Sequence, residues 1–260
     1  MNYETLISTE KDDVITVTLN RPDVHNAMNE LLINELTQCF QQISTDESLT
    51  AVILTGNGKS FCAGADLTWM KRMVKFSMQE NKKDSRLLLD MYESIYSCHK
   101  PVIARVNGSA FGGGLGLLAV CDITITVPEI RFGFSEVKLG IVPAVISTFV
   151  AHRMTPADMR RLFITGERFD SMMAQKIGLI DLVVPPETLD DAVNSCVEQL
   201  RSSGPCAIEE IKHLIECLET MDLKQYKEFT VEKISELRVS HEGQEGITAF
   251  LQKRKANWKR

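Results

Sequence analysis

The apolar pattern of this chain changes character once, and that change limits the folds open to it. Before Pro143, short β-branched or continuously apolar runs alternate with amphipathic stretches. Val14–Leu19 is β-branched with imperfect alternation, as in a strand. Thr50–Thr55 is a continuous apolar run, which suits a strand buried on both faces. Pro101–Val106 and Ile123–Val127 predict two further strands. Between them, Asn29–Ile43 sets Leu31, Leu32, Leu36, Phe40 and Ile43 at helical spacing, and Trp69–His99 is mostly helical. After Pro143, residues 156–163, 170–178, 187–201 and 205–256 show helical periodicity punctuated by Pro and Gly. Residues 1–190 therefore read as an α/β core, and 191–260 as a helical C-terminal region. No solenoid-length repeat or low-complexity segment interrupts this order.

The chain has 260 residues, 44% hydrophobic and 25% charged, which suits one large domain or a domain with an appendage. Seven cysteines, an odd number in a chain too long to need stapling, read as reduced thiols. Met1–Asp13 is acidic and has no apolar h-region, so a cytoplasmic location is expected. No run approaches the roughly 18 apolar residues of a membrane span. The net charge of −6 argues against nucleic acid as the main partner. Lys253–Arg260 departs from that balance, with five basic residues in eight. Two readings stand for it: a solvated helix end that favours cations, or a segment that faces phosphate.

Several familiar signatures fail. Gly58-Lys59-Ser60 lacks the glycine a P-loop needs five positions earlier, where Ile53 stands. Gly112–Gly116 misses the dinucleotide spacing because position 117 is Leu. Gly133–Val137 lacks the second glycine of a nucleophile elbow. His213 and Cys217 have no further ligands beside them, so no metal site is expected.

Three segments survive. Ser60–Leu67 and Asn107–Leu117 are both rich in glycine and small residues, and each follows a predicted strand. Glycine permits close approach of a ligand to the backbone. A glycine run entering a helix leaves its first N–H groups unpaired. Brought together, the two segments could aim two N–H donors at one oxygen, which is an oxyanion hole. Composition alone leaves open two unrelated tight turns. The third segment, Phe132–Pro143, sets Glu136 among apolar residues. A desolvated carboxyl there would have a raised pKa useful for proton transfer, whereas a surface Glu136 paired with Lys138 would not.

In this order and spacing the segments resemble the crotonase (enoyl-CoA hydratase/isomerase) superfamily, nearly end to end. Asn20-Arg21-Pro22 with Asn26-Ala27 looks like its CoA loop, Phe61–Leu67 like its first oxyanion segment and Gly112–Gly114 like its second. Thr248–Trp258 looks like its closing helix. The resemblance implies a spiral of ββα units, a helical trimerisation region, and a trimer or dimer of trimers. It implies an acyl-CoA substrate without a separate cofactor, coenzyme A being part of that substrate. By position, the N–H groups of Ala65 and Gly113 would bind the thioester oxygen, and Glu136 would be the acid/base. Arg21, His25, Ala27, Ala63, Asp66, Leu67 and Gly112 would line the CoA and acyl group. Phe250 and Lys253 would reach a neighbouring subunit's ligand.

Two departures matter. Two-carboxylate hydratases carry Glu two residues beyond the glycine triplet, where this chain has Gly116. The CoA loop often has a lysine where this chain has Asp23, Val24 and His25. With Glu136 alone, one reading is an enoyl-CoA hydratase in which a single carboxylate makes both proton movements. The other is a Δ3–Δ2 enoyl-CoA isomerase, which needs one base. Ser135–Gly140 followed by Pro143–Ser147 most resembles the methylglutaconyl-CoA hydratase subgroup of leucine and isoprenoid breakdown, whose members tend to have Gly at the same place. A branched or carboxylated substrate would follow, its carboxylate assisting water or held by Lys71, Arg72 or Lys75. A protein of another class, binding RNA or acting as a scaffold on a CoA-binding fold, is disfavoured by the acidic balance.

Overall fold

The structure, a computed structural model, describes residues 3–258; Lys259 and Arg260 of the basic tail lie outside them. The chain opens with an antiparallel pair, β1 (Leu6–Lys11) and β2 (Val14–Leu19). Then α1 (Glu30–Ser44) leads to β3 (Ala51–Gly56) and β4 (Ser60–Cys62), followed by α2 (Leu67–Met73) and α3 (Met78–Tyr96). The same strand–strand–helix unit recurs as β5 (Val102–Val106), β6 (Ser109–Phe111) and α4 (Gly113–Ala119). It recurs again as β7 (Ile123–Thr126), β8 (Arg131–Gly133) and α5 (Ala144–Val150). This is a spiral of ββα units. After it come α6 (Pro156–Thr165), β9 (Arg168–Asp170), α7 (Ser171–Lys176) and β10 (Leu182–Val183).

Each unit gives its first strand to one sheet and its second to another. The larger sheet runs β1-β2-β3-β5-β7-β10, and all its pairs after the first are parallel. The smaller runs β4-β6-β8-β9, parallel until the last pair. Parallel strands buried on both faces need no alternation, which is why Ala51–Leu54 of β3 and Val102–Ala104 of β5 are unbroken apolar runs. Between the layers, Phe40, Leu54, Phe61, Met91, Tyr92, Phe132 and Phe134 are fully buried. Helix α1 turns Leu32, Ile33, Leu36, Cys39, Phe40 and Ile43 inward, whereas Leu31, expected on that face, is exposed.

Four helices follow: α8 (Leu189–Arg201), α9 (Pro205–Thr220), α10 (Leu223–Val239) and α11 (His241–Leu251). Helix α8 packs Leu189, Val193 and Val197 against Val14, Ile103 and Ile125 of the larger sheet. The Glu242 carboxylate accepts from the Cys206 and Ala207 N–H groups at 3.0 and 2.9 Å, which ties α11 to the N-terminus of α9. Helix α10 buries none of its described residues, and Ile211, Ile215, Val231, Ile234, Phe250 and Leu251 are exposed. Among the described residues, no helix is long and apolar enough to cross a membrane.

Candidate active site

The first glycine segment is held by the loop before α1, most closely by Met28. The Met28 N–H donates to the Gly64 carbonyl at 2.7 Å, and the Asp66 N–H donates to the Met28 carbonyl at 2.8 Å. These two bonds make a parallel bridge between Met28 and Ala65. In such a bridge the flanked residue turns its own N–H away from the partner strand. Ala65 accordingly points its N–H away from Met28, and that group has no protein acceptor among the described residues. Gly64 has φ +90°, and a Cβ there would lie 2.9 Å from the Phe111 carbonyl oxygen and 3.7 Å from the Gly113 nitrogen. The two glycine segments therefore meet.

The second segment turns from β6 into α4 at Gly112, whose φ of 49° and ψ of −121° suit glycine alone. Its N–H is committed to the Gly133 carbonyl at 2.9 Å. Gly113 is the first helical residue, so its N–H has no partner within the helix. It has none elsewhere among the described residues. A Cβ on Gly113 would stand 2.3 Å from the Met28 Cε, and one on Gly114 2.3 Å from the Cys62 carbonyl oxygen. The triplet is small because backbone and Met28 press on it from several sides.

Glu136 begins a single 3₁₀ turn, Glu136–Leu139, immediately after β8. A Cβ on Gly112 would lie 3.1 Å from its Oε1, so the carboxylate sits against the glycine turn. Its Oε2 is buried and has no hydrogen-bond partner. Burial pushes the Glu136 pKa up, opposed only by its own backbone N–H. The pairing with Lys138 allowed by the sequence is not made. A carboxyl with an elevated pKa thus lies beside two adjacent backbone segments that carry unpaired N–H groups, a combination suited to moving protons next to a developing oxyanion.

The enoyl-CoA hydratase/isomerase family model matches residues 9–260. The chain belongs to this family. It is 35% identical to the short-chain-enoyl-CoA hydratase of Clostridium acetobutylicum, across 98% of this chain and 97% of that one. The crotonyl-CoA hydratase of Syntrophomonas wolfei is 32% identical, with 99% of each chain covered. A solved enoyl-CoA hydratase structure from Shewanella pealeana matches with a TM-score of 0.94 at 36% identity, covering 98% of this chain and 96% of that one. The crotonase fold expected of the sequence is therefore the fold observed.

For an enoyl-CoA hydratase/isomerase, the environment of Gly116 is informative. A Cβ there would fall 2.4 Å from the Ile146 Cγ2 and 2.7 Å from the Tyr92 Cζ. A side chain at this position would have to displace Ile146 and Tyr92, so the packing here is built around glycine. The loop residues expected to line CoA are brought together, and several are already engaged. Arg21 donates to the Ala27 carbonyl and to the Asp66 carboxylate, the latter at 2.8 Å. Asp66 also caps α2, accepting from the Thr68 and Trp69 N–H groups at 2.7 and 3.2 Å. His25 accepts from the Ala63 N–H at 3.0 Å, and its Nδ1 lies 3.0 Å from the Ser60 Oγ. Leu67 is exposed, while Ala27 is buried. Phe250 and Lys253 are exposed at the end of α11, which packs on α10. Among the described residues, no cluster of His, Cys, Asp and Glu is arranged to hold a metal.

Two residues of the site gave no signal in the sequence. Met28 and Tyr92 look like ordinary apolar positions of a loop and a helix. Their contacts with Gly113 arise only when distant segments pack.

Proposed function

We propose that this chain hydrates 2-enoyl-CoA thioesters, and the reverse, through the Ala65 and Gly113 N–H groups and the Glu136 carboxyl. The observation that carries the reading is the meeting of the two glycine segments, both with unpaired N–H groups, beside a buried carboxyl oxygen without a partner. The family relationship supports it, since the relatives named above are enoyl-CoA hydratases. As water adds to C3, negative charge collects on the thioester oxygen, and two fixed donors stabilise it more than bulk water does. Loss of one such donor costs on the order of 10²–10³ in rate. Glu136 takes a proton from water as its oxygen bonds to C3, then returns a proton to C2 of the enolate. The raised pKa brings both of its protonation states closer to working pH. No separate cofactor enters this chemistry.

Gly116 favours a finer reading in which the substrate supplies what the protein lacks. A branched or carboxylated enoyl-CoA of the methylglutaconyl type carries its own carboxylate, which can assist water. Of the three cations on and just after α2 that could hold it, Arg72 is engaged by Glu30, while Lys71 and Lys75 are exposed. Gly116 equally suits a Δ3–Δ2 isomerase, in which one base moves a proton between C4 and C2. The helical region 191–260 would assemble the chain into a trimer or a dimer of trimers, with Phe250 and Lys253 reaching a neighbour's ligand.

Loss of the enoyl absorbance of crotonyl-CoA separates these readings. Hydration is expected, together with a drop of about 10²–10⁴ in kcat for Glu136→Gln. Crotonyl-CoA left untouched while 3-enoyl thioesters are converted would favour the isomerase. Full activity in Glu136→Gln would remove Glu136 from the mechanism.

A further inference from the structure

A glycine triplet that must hold an N–H donor within a fraction of an ångström has a difficulty of its own. Its residues have no side chains to anchor them, and glycine is the most mobile residue of the backbone. Gly112 is fixed at one end by its bond to Gly133. At the other end the anchor is Tyr92, whose hydroxyl donates to the Gly113 carbonyl at 2.7 Å.

We infer that Tyr92 is a positioning residue of the oxyanion hole, holding the Gly113 peptide unit so that its N–H stays aimed at the thioester oxygen. The inference rests on the reading of Gly113 as an oxyanion donor.

Three observations carry it. First, Tyr92 is fully buried on α3, a 19-residue helix whose start is fixed by a capping box between Ser77 and Glu80. Its ring packs against Phe149 with centroids 5.8 Å apart. The anchor is therefore rigid. Second, the carbonyl of a first helical residue normally has its donor four residues on, so the phenol adds restraint rather than satisfying an orphan. Third, Tyr92 reaches this carbonyl only because position 116 is glycine. A Cβ there would lie 2.8 Å from the Tyr92 hydroxyl oxygen. The site in which the first carboxylate of two-carboxylate hydratases would be rooted is closed off by the residue that steadies the oxyanion donor. Burial also pushes the phenol pKa well above its ordinary value, which keeps the hydroxyl protonated and donating.

The alternative is that the phenol bonds Gly113 only to satisfy its own buried hydroxyl. Tyr92→Phe decides between them, because it keeps the ring and removes the bond. The readouts are kcat and KM on crotonyl-CoA, the pH profile, and binding of two thioesters. Acetoacetyl-CoA can bind as an enolate, whereas butanoyl-CoA cannot. Positioning predicts a roughly tenfold fall in kcat with KM and the pH profile little changed, since the interaction strengthens in the transition state. Acetoacetyl-CoA binding should weaken by a similar factor and butanoyl-CoA binding should hold. Unchanged kcat, equal weakening of both ligands, or loss of the fold would each overturn the role. If the wild type leaves crotonyl-CoA untouched, the hydratase reading fails. The two-ligand comparison then still decides for or against Tyr92.

Discussion

In the role proposed for it, Glu136 ties activity and stability together with opposite signs. Its raised pKa means that the folded chain holds this proton more tightly than the unfolded chain does. Ionising the group therefore costs the folded state, and its contribution to stability, present at low pH, is lost as pH rises through the raised pKa. Glu136→Gln is expected to melt at the same temperature as the wild type or higher at neutral pH. The gap should close as pH falls below the ordinary glutamate range. A variant that melts clearly lower at neutral pH would contradict this. Activity should run the other way: in the proposed role as base Glu136 works ionised, so kcat/KM should fall with decreasing pH through a value above that of an ordinary glutamate. At Gly116 packing rules. Adding one methyl in Gly116→Ala should destabilise by about 1–3 kcal/mol, read in denaturant melts, because Ile146 and Tyr92 already fill the space. Gly116→Glu should lose stability without gaining a second acid/base.

At the level of elements, the loop before α1 and the start of α2 form one brace. Arg21, Asp66 and Met28 fix both sides of the Ala63–Ala65 turn. Asp66→Ala removes a helix cap and leaves a largely buried guanidinium without its anion, an expected cost of about 2–4 kcal/mol. The same variant should lower kcat, since the Ala65 N–H is no longer held in place; unchanged stability and unchanged rate would argue against the brace. This loop also shows what the sequence could and could not reveal. Its likeness to a CoA loop singled out Arg21, and the likeness of Phe61–Leu67 to an oxyanion segment singled out Asp66. Neither likeness could show that the two side chains bind each other, because the partners are 45 positions apart. Strands β2, β3, β5 and β7 of the larger sheet were legible for a physical reason: four to six residues, mostly apolar or β-branched, make a pattern, which the polar β1 and the two-residue β10 do not. Strands β4, β6, β8 and β9 were not, since three residues are too few to display one. Glu136 was legible as an acidic residue in an apolar run. Tyr92 was not, because its role is a contact between α3 and α4 that no local pattern encodes.

For the whole molecule, the two halves divide the work. The ββα spiral stacks its second strands so that three successive turns deliver Ala65, Gly113 and Glu136 to one end of the smaller sheet. The C-terminal helices instead leave large apolar side chains uncovered, with Phe250 82% and Leu251 75% exposed. Apolar surface of this kind is normally covered by a partner, here proposed to be further copies of the same chain. Sedimentation should give three or six chains per particle, and Leu251→Asp should shift it to smaller species; a monodisperse wild-type monomer would sink the assembly. Everything proposed for the chemistry depends on two peptide N–H groups sharing one oxygen. The direct measurement is a crystal structure with acetoacetyl-CoA bound. The thioester oxygen is expected at about 2.7–3.1 Å from both the Ala65 and the Gly113 nitrogens, with the Glu136 carboxylate facing C2. A thioester oxygen bonded to neither nitrogen, or to only one of them, would contradict this arrangement.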